Sequence, residues 1–263
     1  LAIERINYVK QASMNHSDRL KKRLISNALN LCKKQPFNGI QRKSAFLFNN
    51  ISMNFHPDTF GNISKNLNYK NRLAKIHPNV PGFKEMQSSN SSDALLMNLF
   101  AHPKIKVWKS LRDLISIDQF DNIEFGWNPV FANETNHKTE IDMKIGNSIF
   151  EAKLTEKDFT QKDLKIVLTY SNVNNIIDLK DLTINGIVAN YQLIRNLLTA
   201  EKYGYKFNLL IDETRTDLIR EFYKVKNAIK IKSLLDNFNF LTWQEIANSV
   251  GSDLKEYITE KYF

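Results

Sequence analysis

Cysteine is almost absent. Cys32 is the only one in 263 residues, so no internal disulfide can form and no thiolate cluster can assemble. A reducing cytoplasm is the simplest compartment for such a chain. Long apolar runs are missing as well: none reaches the roughly 18–20 residues that cross a bilayer, and a membrane is not among the expected partners. The opening LAIERINYVKQ is charged and helical in pattern, unlike a secretory leader. Glycine is sparse, with 8 residues, and no Gly-rich phosphate loop occurs. The five histidines, His16, His56, His77, His102 and His137, show no zinc-like spacing. His56, His77 and His102 each precede proline, which marks loop or boundary positions.

Acid is scarce in the first third. Residues 1–90 hold 15 Lys and Arg against 4 Asp and Glu, whereas residues 91–263 hold 22 against 24. The whole excess behind the net charge of +9 therefore sits at the N-terminal end. A surface of this kind attracts phosphate backbones through counterion release and steering. The length allows one large domain or a domain with an extension. The division expected here is a basic, helical and loop-rich extension over 1–87 and a core over 88–263 that includes C-terminal helices.

Periodicity predicts helices over 3–13 and 18–34, the second with Leu20, Leu24, Ala28 and Leu31 on one stripe. Residues 37–90 are broken by Pro57, Gly61, Pro78, Pro81 and Gly82 and read as loop-rich. Ser91 or Ser92 caps a helix whose body, ALLMNLF, is apolar nearly all round and therefore buried. A helix over 104–115 follows. Strand-like runs come next at 123–131, 139–145 and 148–154, then a polar stretch, a helix at 185–202 and a strand at 205–212. Helices near 214–235 and 242–261 close the chain. The order helix, three strands, helix, strand points to an α/β layer design with a mixed sheet covered by helices. Within the last segment, LTWQEIANSVGSDLKEYI has the outline of a helix-turn-helix, but its acidic second helix reads better as a packing unit. The basic run REFYKVKNAIKIK (220–232) suits a solvated amphipathic helix as well as a phosphate contact.

The informative segment is Thr139–Lys153. Gly146–Asn147 stands between two alternating runs, and Gly at the first turn position marks a two-residue type II′ hairpin. That turn fixes the register: Ile145 faces Ser148, Met143 faces Phe150, Asp142 faces Glu151 and Glu140 faces Lys153. Alternation puts Thr139, Ile141, Met143, Ile145, Ser148, Phe150, Ala152 and Leu154 on a core face. Glu140, Asp142, Lys144, Glu151 and Lys153 share the other face with Ile149. Opposed carboxylates on a sheet have Cβ atoms about 4.5–5.5 Å apart and repel. A hard dication compensates, with water and substrate phosphate as its remaining ligands. Lys153 could then orient or deprotonate the nucleophile or stabilise the phosphorus centre. On spacing alone a solvated checkerboard, with Glu140 pairing Lys153 and Lys144 beside Asp142, stands equally open.

Asp142 followed by Glu151-Ala152-Lys153 on adjacent strands resembles the PD-(D/E)xK nuclease superfamily, and within it a bacterial restriction-endonuclease-like group. SSDALLMNLF (91–100), TEIDMKI, FEAKL, YQLIRNLL (191–198) and LKEYITEKYF (254–263) carry the likeness, over most of 88–263. Ile141 stands where the name motif has proline. The resemblance implies a restriction-endonuclease-like mixed sheet flanked by helices and an endonuclease that hydrolyses phosphodiester bonds in DNA. It implies Asp142, Glu151, Lys153 and Gln192 as catalytic residues. It further implies Mg²⁺, with Mn²⁺ as a substitute, held by Asp142, Glu151 and the carbonyl of Ala152. Asp93 and Glu124 are candidates for an additional carboxylate. Duplex DNA is the expected partner and a homodimer a possible assembly. Alternatives are an RNA or structure-specific nuclease, or a binding module that has lost catalysis.

Overall fold

The computed structural model describes residues 14–118, 120, 122–131 and 140–263. The helix expected over 3–13, and Thr139 and His137, lie outside these residues. The chain divides into two compact units, one formed by residues up to Ile105 together with Ala247–Phe263, the other by Lys106–Ile246.

In the first unit, the helix His16–Lys34 starts at Asn15, whose side chain accepts from the Asp18 amide at 2.8 Å. Leu20, Leu24, Ile25, Ala28 and Leu31 form its buried face, the stripe that periodicity sets. The segment 37–90 holds more structure than its breakers imply. Strands β1 (Gly39–Gln41) and β2 (Phe46–Phe48) pair antiparallel, and helices run over Pro57–Lys65 and Leu67–Arg72. Proline opens the first of these helices at its N-terminal position, where a missing N–H costs nothing. Ser91 caps the helix Ser92–Phe100 by accepting from the Ala94 amide at 3.1 Å. Every residue from Asp93 to Phe100 is buried, as expected of a helix without a polar face. The helix expected near 242–261 is interrupted at Gly251, which precedes the helix Ser252–Tyr262.

The second unit is built on a five-stranded mixed sheet. Its strands are β3 (Glu124–Trp127), β4 (Ile141–Ile145), β5 (Ser148–Ala152), then, after a small three-stranded sheet of β6 (Gln161–Asp163), β7 (Thr183–Ile184) and β8 (Ile187–Ala189), β9 (Lys206–Ile211) and β10 (Phe238–Thr242). The order across the large sheet is β10-β9-β5-β4-β3. β3, β4 and β5 are antiparallel neighbours, while β5 and β9, and β9 and β10, run parallel. A parallel pair needs a crossover, and the β5–β9 crossover contains the helix Tyr191–Tyr203. This is the restriction-endonuclease-like mixed sheet with helices around it.

Several expectations need correction. Residues 185–190 are not helical. Asn185 and Gly186 both take positive φ (51° and 77°), the requirement of a type I′ turn, and they join β7 to β8. Val188 therefore packs from a strand rather than from a helix stripe. Asn190, at φ 57°, then starts the helix Tyr191–Tyr203, and Gly204, at φ 68°, ends it. The segment 214–235 is two helices, Thr216–Ala228 and Lys232–Asp236. Residues 238–242 form the edge strand β10, hidden from periodicity because only Phe238 of its five residues is fully buried. The helix expected over 104–115 is a short 3-10 turn followed by Lys109–Ile115.

Ile149, Phe207, Leu209, Leu193, Leu197, Phe222 and Phe238 belong to one apolar core. Phe207, Phe222 and Phe238 stack with centroids 4.7 and 4.8 Å apart. All five residues of β5 are buried, so this strand is covered on both faces.

Candidate active site

The two-residue turn does what its sequence implies. Gly146 takes φ 53°, and β4 pairs with β5 as Ile145 to Ser148, Lys144 to Ile149 and Met143 to Phe150. Carried one step further, this register sets Asp142 across from Glu151. The face opposite the expected core face is not a solvated checkerboard. Asp142 is half-buried, Glu151 is 1% exposed and Lys153 is 6% exposed.

Burying a carboxylate and an ammonium requires full pairing. Glu151 is held by three side chains. Its Oε1 accepts from Gln192 Nε2 at 2.5 Å and lies 3.0 Å from Lys153 Nζ, and its Oε2 accepts from Asn196 Nδ2 at 2.8 Å. Gln192 also accepts from Lys153 Nζ through its Oε1 at 2.7 Å. This orientation of the Gln192 amide is the one that satisfies both neighbours, since its nitrogen only donates and its oxygen only accepts. Gln192 and Asn196 are four residues apart, hence one above the other on the helix Tyr191–Tyr203. Asp142 joins from the neighbouring strand, its Oδ2 accepting from the Ala152 amide at 2.8 Å.

Burial by itself would lower the Lys153 pKa. The negative charges of Glu151, Glu156 and Asp142, with the hydrogen bond to Glu151, outweigh it, and the pKa is raised above the ordinary lysine value. The ammonium is therefore charged at neutral pH. The repulsion between opposed carboxylates has a partial answer within the chain itself, because Lys153 is a cation beside Glu151.

The strand end is fixed from behind. Trp243 Nε1 donates to the Lys153 carbonyl at 2.8 Å. Arg215, fully buried, donates to the Leu154 carbonyl at 2.8 Å and the Glu156 carbonyl at 2.7 Å, and pairs with Asp217. A half-buried Glu156 accepts from the Leu154 amide at 2.6 Å.

The family model described as Restriction Endonuclease associating with ARP matches residues 26–263. The chain belongs to this family. No curated protein and no solved structure matches it. Membership of a restriction-endonuclease family points to a nuclease as the class of activity.

Within this family member, the structure brings Glu151, Lys153 and Gln192 into one hydrogen-bonded group and sets Asp142 against Ala152. Glu124 is exposed and pairs with Lys144 at 2.7 Å. Asp93 belongs to the other unit, where Arg72 at 2.9 Å and Lys75 at 3.5 Å neutralise it. Reading the sequence missed Asn196, Arg215, Trp243 and Glu156. The signal for Asn196 was its place four residues after Gln192.

Proposed function

We propose that this chain is a Mg²⁺-dependent endonuclease that hydrolyses phosphodiester bonds in DNA, with Asp142, Glu151 and Lys153 as catalytic residues and Gln192 as their partner. The observation that carries the reading is the buried Glu151–Lys153 pair locked by Gln192 and Asn196 beside Asp142. A charge pair this buried often gains nothing in stability over packed apolar residues, so a chemical role accounts for its retention.

Two carboxylates and a backbone carbonyl make an all-oxygen donor set, which suits a hard dication and not a soft one. Asp142, Glu151 and the Ala152 carbonyl would hold Mg²⁺ or Mn²⁺. Bound there, such an ion supplies Lewis acidity toward the phosphate and acidifies a water. Lys153, beside those carboxylates, serves as an electrostatic donor to a phosphate oxygen. Gln192 holds the Lys153 ammonium and the Glu151 carboxylate in one geometry, and Asn196 fixes the far oxygen of Glu151. Arg215 and Trp243 position the backbone from Lys153 to Glu156. The basic residues of the first third, Lys21, Lys22 and Arg23 among them, supply the attraction for the phosphate backbone.

The test is a cleavage assay on duplex DNA, single-stranded DNA and RNA, with Mg²⁺, with Mn²⁺ and with chelator. Duplex cleavage that needs the metal and disappears in both Lys153→Ala and Asp142→Ala is expected. Cleavage of RNA alone would replace the substrate, and binding with no cleavage in either metal would leave a nucleic-acid-binding module instead.

A further inference from the structure

Two of the three His–Pro dipeptides meet in the first unit, although His56 and His102 are 46 positions apart. A residue before proline is confined to extended backbone, and His56 sits at φ −59°, ψ 137° as the N-cap of Pro57–Lys65. Its side chain makes no capping hydrogen bond. Amide side chains pin the backbone on both sides instead. The His56 N–H donates to Asn98 Oδ1 at 2.8 Å, Thr59 Oγ1 donates to the Asn98 carbonyl at 3.1 Å, and Asn62 Nδ2 donates to the Ala101 carbonyl at 2.9 Å. His56 is thus held in place without spending its Nδ1 on the framework.

The ring centroids of His56 and His102 lie 5.4 Å apart. One donor atom from each of His56, Asp58 and His102 falls within 4.8 Å of the other two. His56 Nδ1 is buried and has no hydrogen-bond partner among the described residues, which is unfavourable if nothing fills it. His102 is fully buried, whereas Asp58 is exposed and opens the cluster to water.

We propose that His56, His102 and Asp58 bind a zinc ion, which ties the start of the helix Pro57–Lys65 to the end of the helix Ser92–Phe100. Two imidazoles and one carboxylate are a donor set of Zn²⁺ with three protein ligands, its fourth position left to water. Mg²⁺ and Ca²⁺ prefer oxygen throughout, so this site and the sheet site differ in the metal they select. Binding has one visible cost. His102 Nδ1 accepts from the Lys104 amide at 3.2 Å, and a neutral imidazole has only one ring nitrogen with a free lone pair. Whichever nitrogen takes the ion, this contact is given up, and it is already at the long end of the hydrogen-bond range.

The test uses the full chain freed of metal by chelation and titrated with Zn²⁺ by calorimetry and with Co²⁺ by visible absorption. One equivalent of Zn²⁺, a four-coordinate Co²⁺ spectrum and no competition from excess Mg²⁺ are expected. Asp58→Ala removes an exposed side chain and leaves folding intact by circular dichroism. It weakens Zn²⁺ binding by more than the roughly 10- to 100-fold that loss of an outer-shell partner costs, and His56→Gln does the same. Glu151→Gln keeps the full stoichiometry, which separates this ion from the sheet site and from the nuclease reading. No binding, binding indifferent to Asp58→Ala and His56→Gln, or loss of the ion in Glu151→Gln would each overturn the proposal.

Discussion

Among the described residues two lysines are buried, and their surroundings push them in opposite directions. Lys153, in the second unit, faces carboxylates. Its pKa is raised because Glu151, Glu156 and Asp142 outweigh the effect of burial. Lys261, in the first unit, donates to the Asn54 carbonyl at 2.5 Å and to Tyr257 Oη at 3.0 Å, inside a box of Phe48, Tyr257 and Tyr262 rings, each 5.2 Å from its Nζ. Burial alone acts on it and lowers its pKa well below the ordinary value. Similar depth thus yields a retained cation in one case and a tendency to the neutral amine in the other. The first is equipped to meet an anion. The second is a packing group that joins Asn54 to Tyr257.

That contrast can be broken by substitution. Lys153→Ala is expected to have the largest effect, a loss of cleavage of about 10²–10³-fold or more, the cost of removing one transition-state donor. Steady-state cleavage rates in Mg²⁺ measure it. A variant that keeps near-normal rates would make Lys153 no different in kind from Lys261. Asn196→Ala should come next, with activity down about 10- to 100-fold and stability lower by about 1.5–3 kcal/mol, because a hydrogen bond to a buried carboxylate is lost. Asn196→Asp should be worse than Asn196→Ala, since it sets a second negative charge beside Glu151. Denaturant unfolding together with cleavage rates tests the order of the two.

Lys261→Met should leave cleavage unchanged. The Asn54 carbonyl still accepts from Asn98 Nδ2 at 3.0 Å, so stability should change by only about 1 kcal/mol. A loss of cleavage in this variant would end the contrast from the other side. The smallest effect is the pH slope. Lys261 has a folded pKa below its unfolded value, so the unfolded chain binds more protons and this lysine's contribution to stability rises with pH between the folded value and about 10.4. Lys153, shifted upward, contributes fully below that same unfolded pKa and loses its contribution only as pH rises through the folded value. Between its folded value and about pH 10.4, Lys261→Met should therefore flatten the rise of unfolding free energy with pH, and Lys153→Met should not. Equal slopes in the two variants would contradict the opposite shifts.

Much of the site was legible because it is made of short-range geometry. The Gly146–Asn147 turn sets the β4–β5 register within a dozen residues, and that register brings Asp142, Glu151 and Lys153 into one segment. Other local signals were present and passed over. Asn185–Gly186 is a hairpin turn by the same rule, but the apolar residues after it mimic a helix stripe. Asparagine, abundant in the chain, points by itself to no particular chemistry. In the structure Asn98 and Asn196 each tie a helix to a functional or candidate residue. An amide is uninformative until its partner is known, since it serves donors and acceptors equally.

By itself, the sequence determined the hairpin, its register, the cap at Ser91 and the residue types able to carry a phosphodiester hydrolase. These follow from backbone preferences and alternation that act over a few residues. Only the tertiary structure decided that β5 is covered on both faces, that Gln192 and Asn196 reach Glu151 across 41 and 45 positions, and that His56 meets His102. The reason is the parallel crossover in the sheet and the helix packing in the first unit. Which side chains they bring together depends on how whole elements pack, and no spacing along the chain encodes that distance.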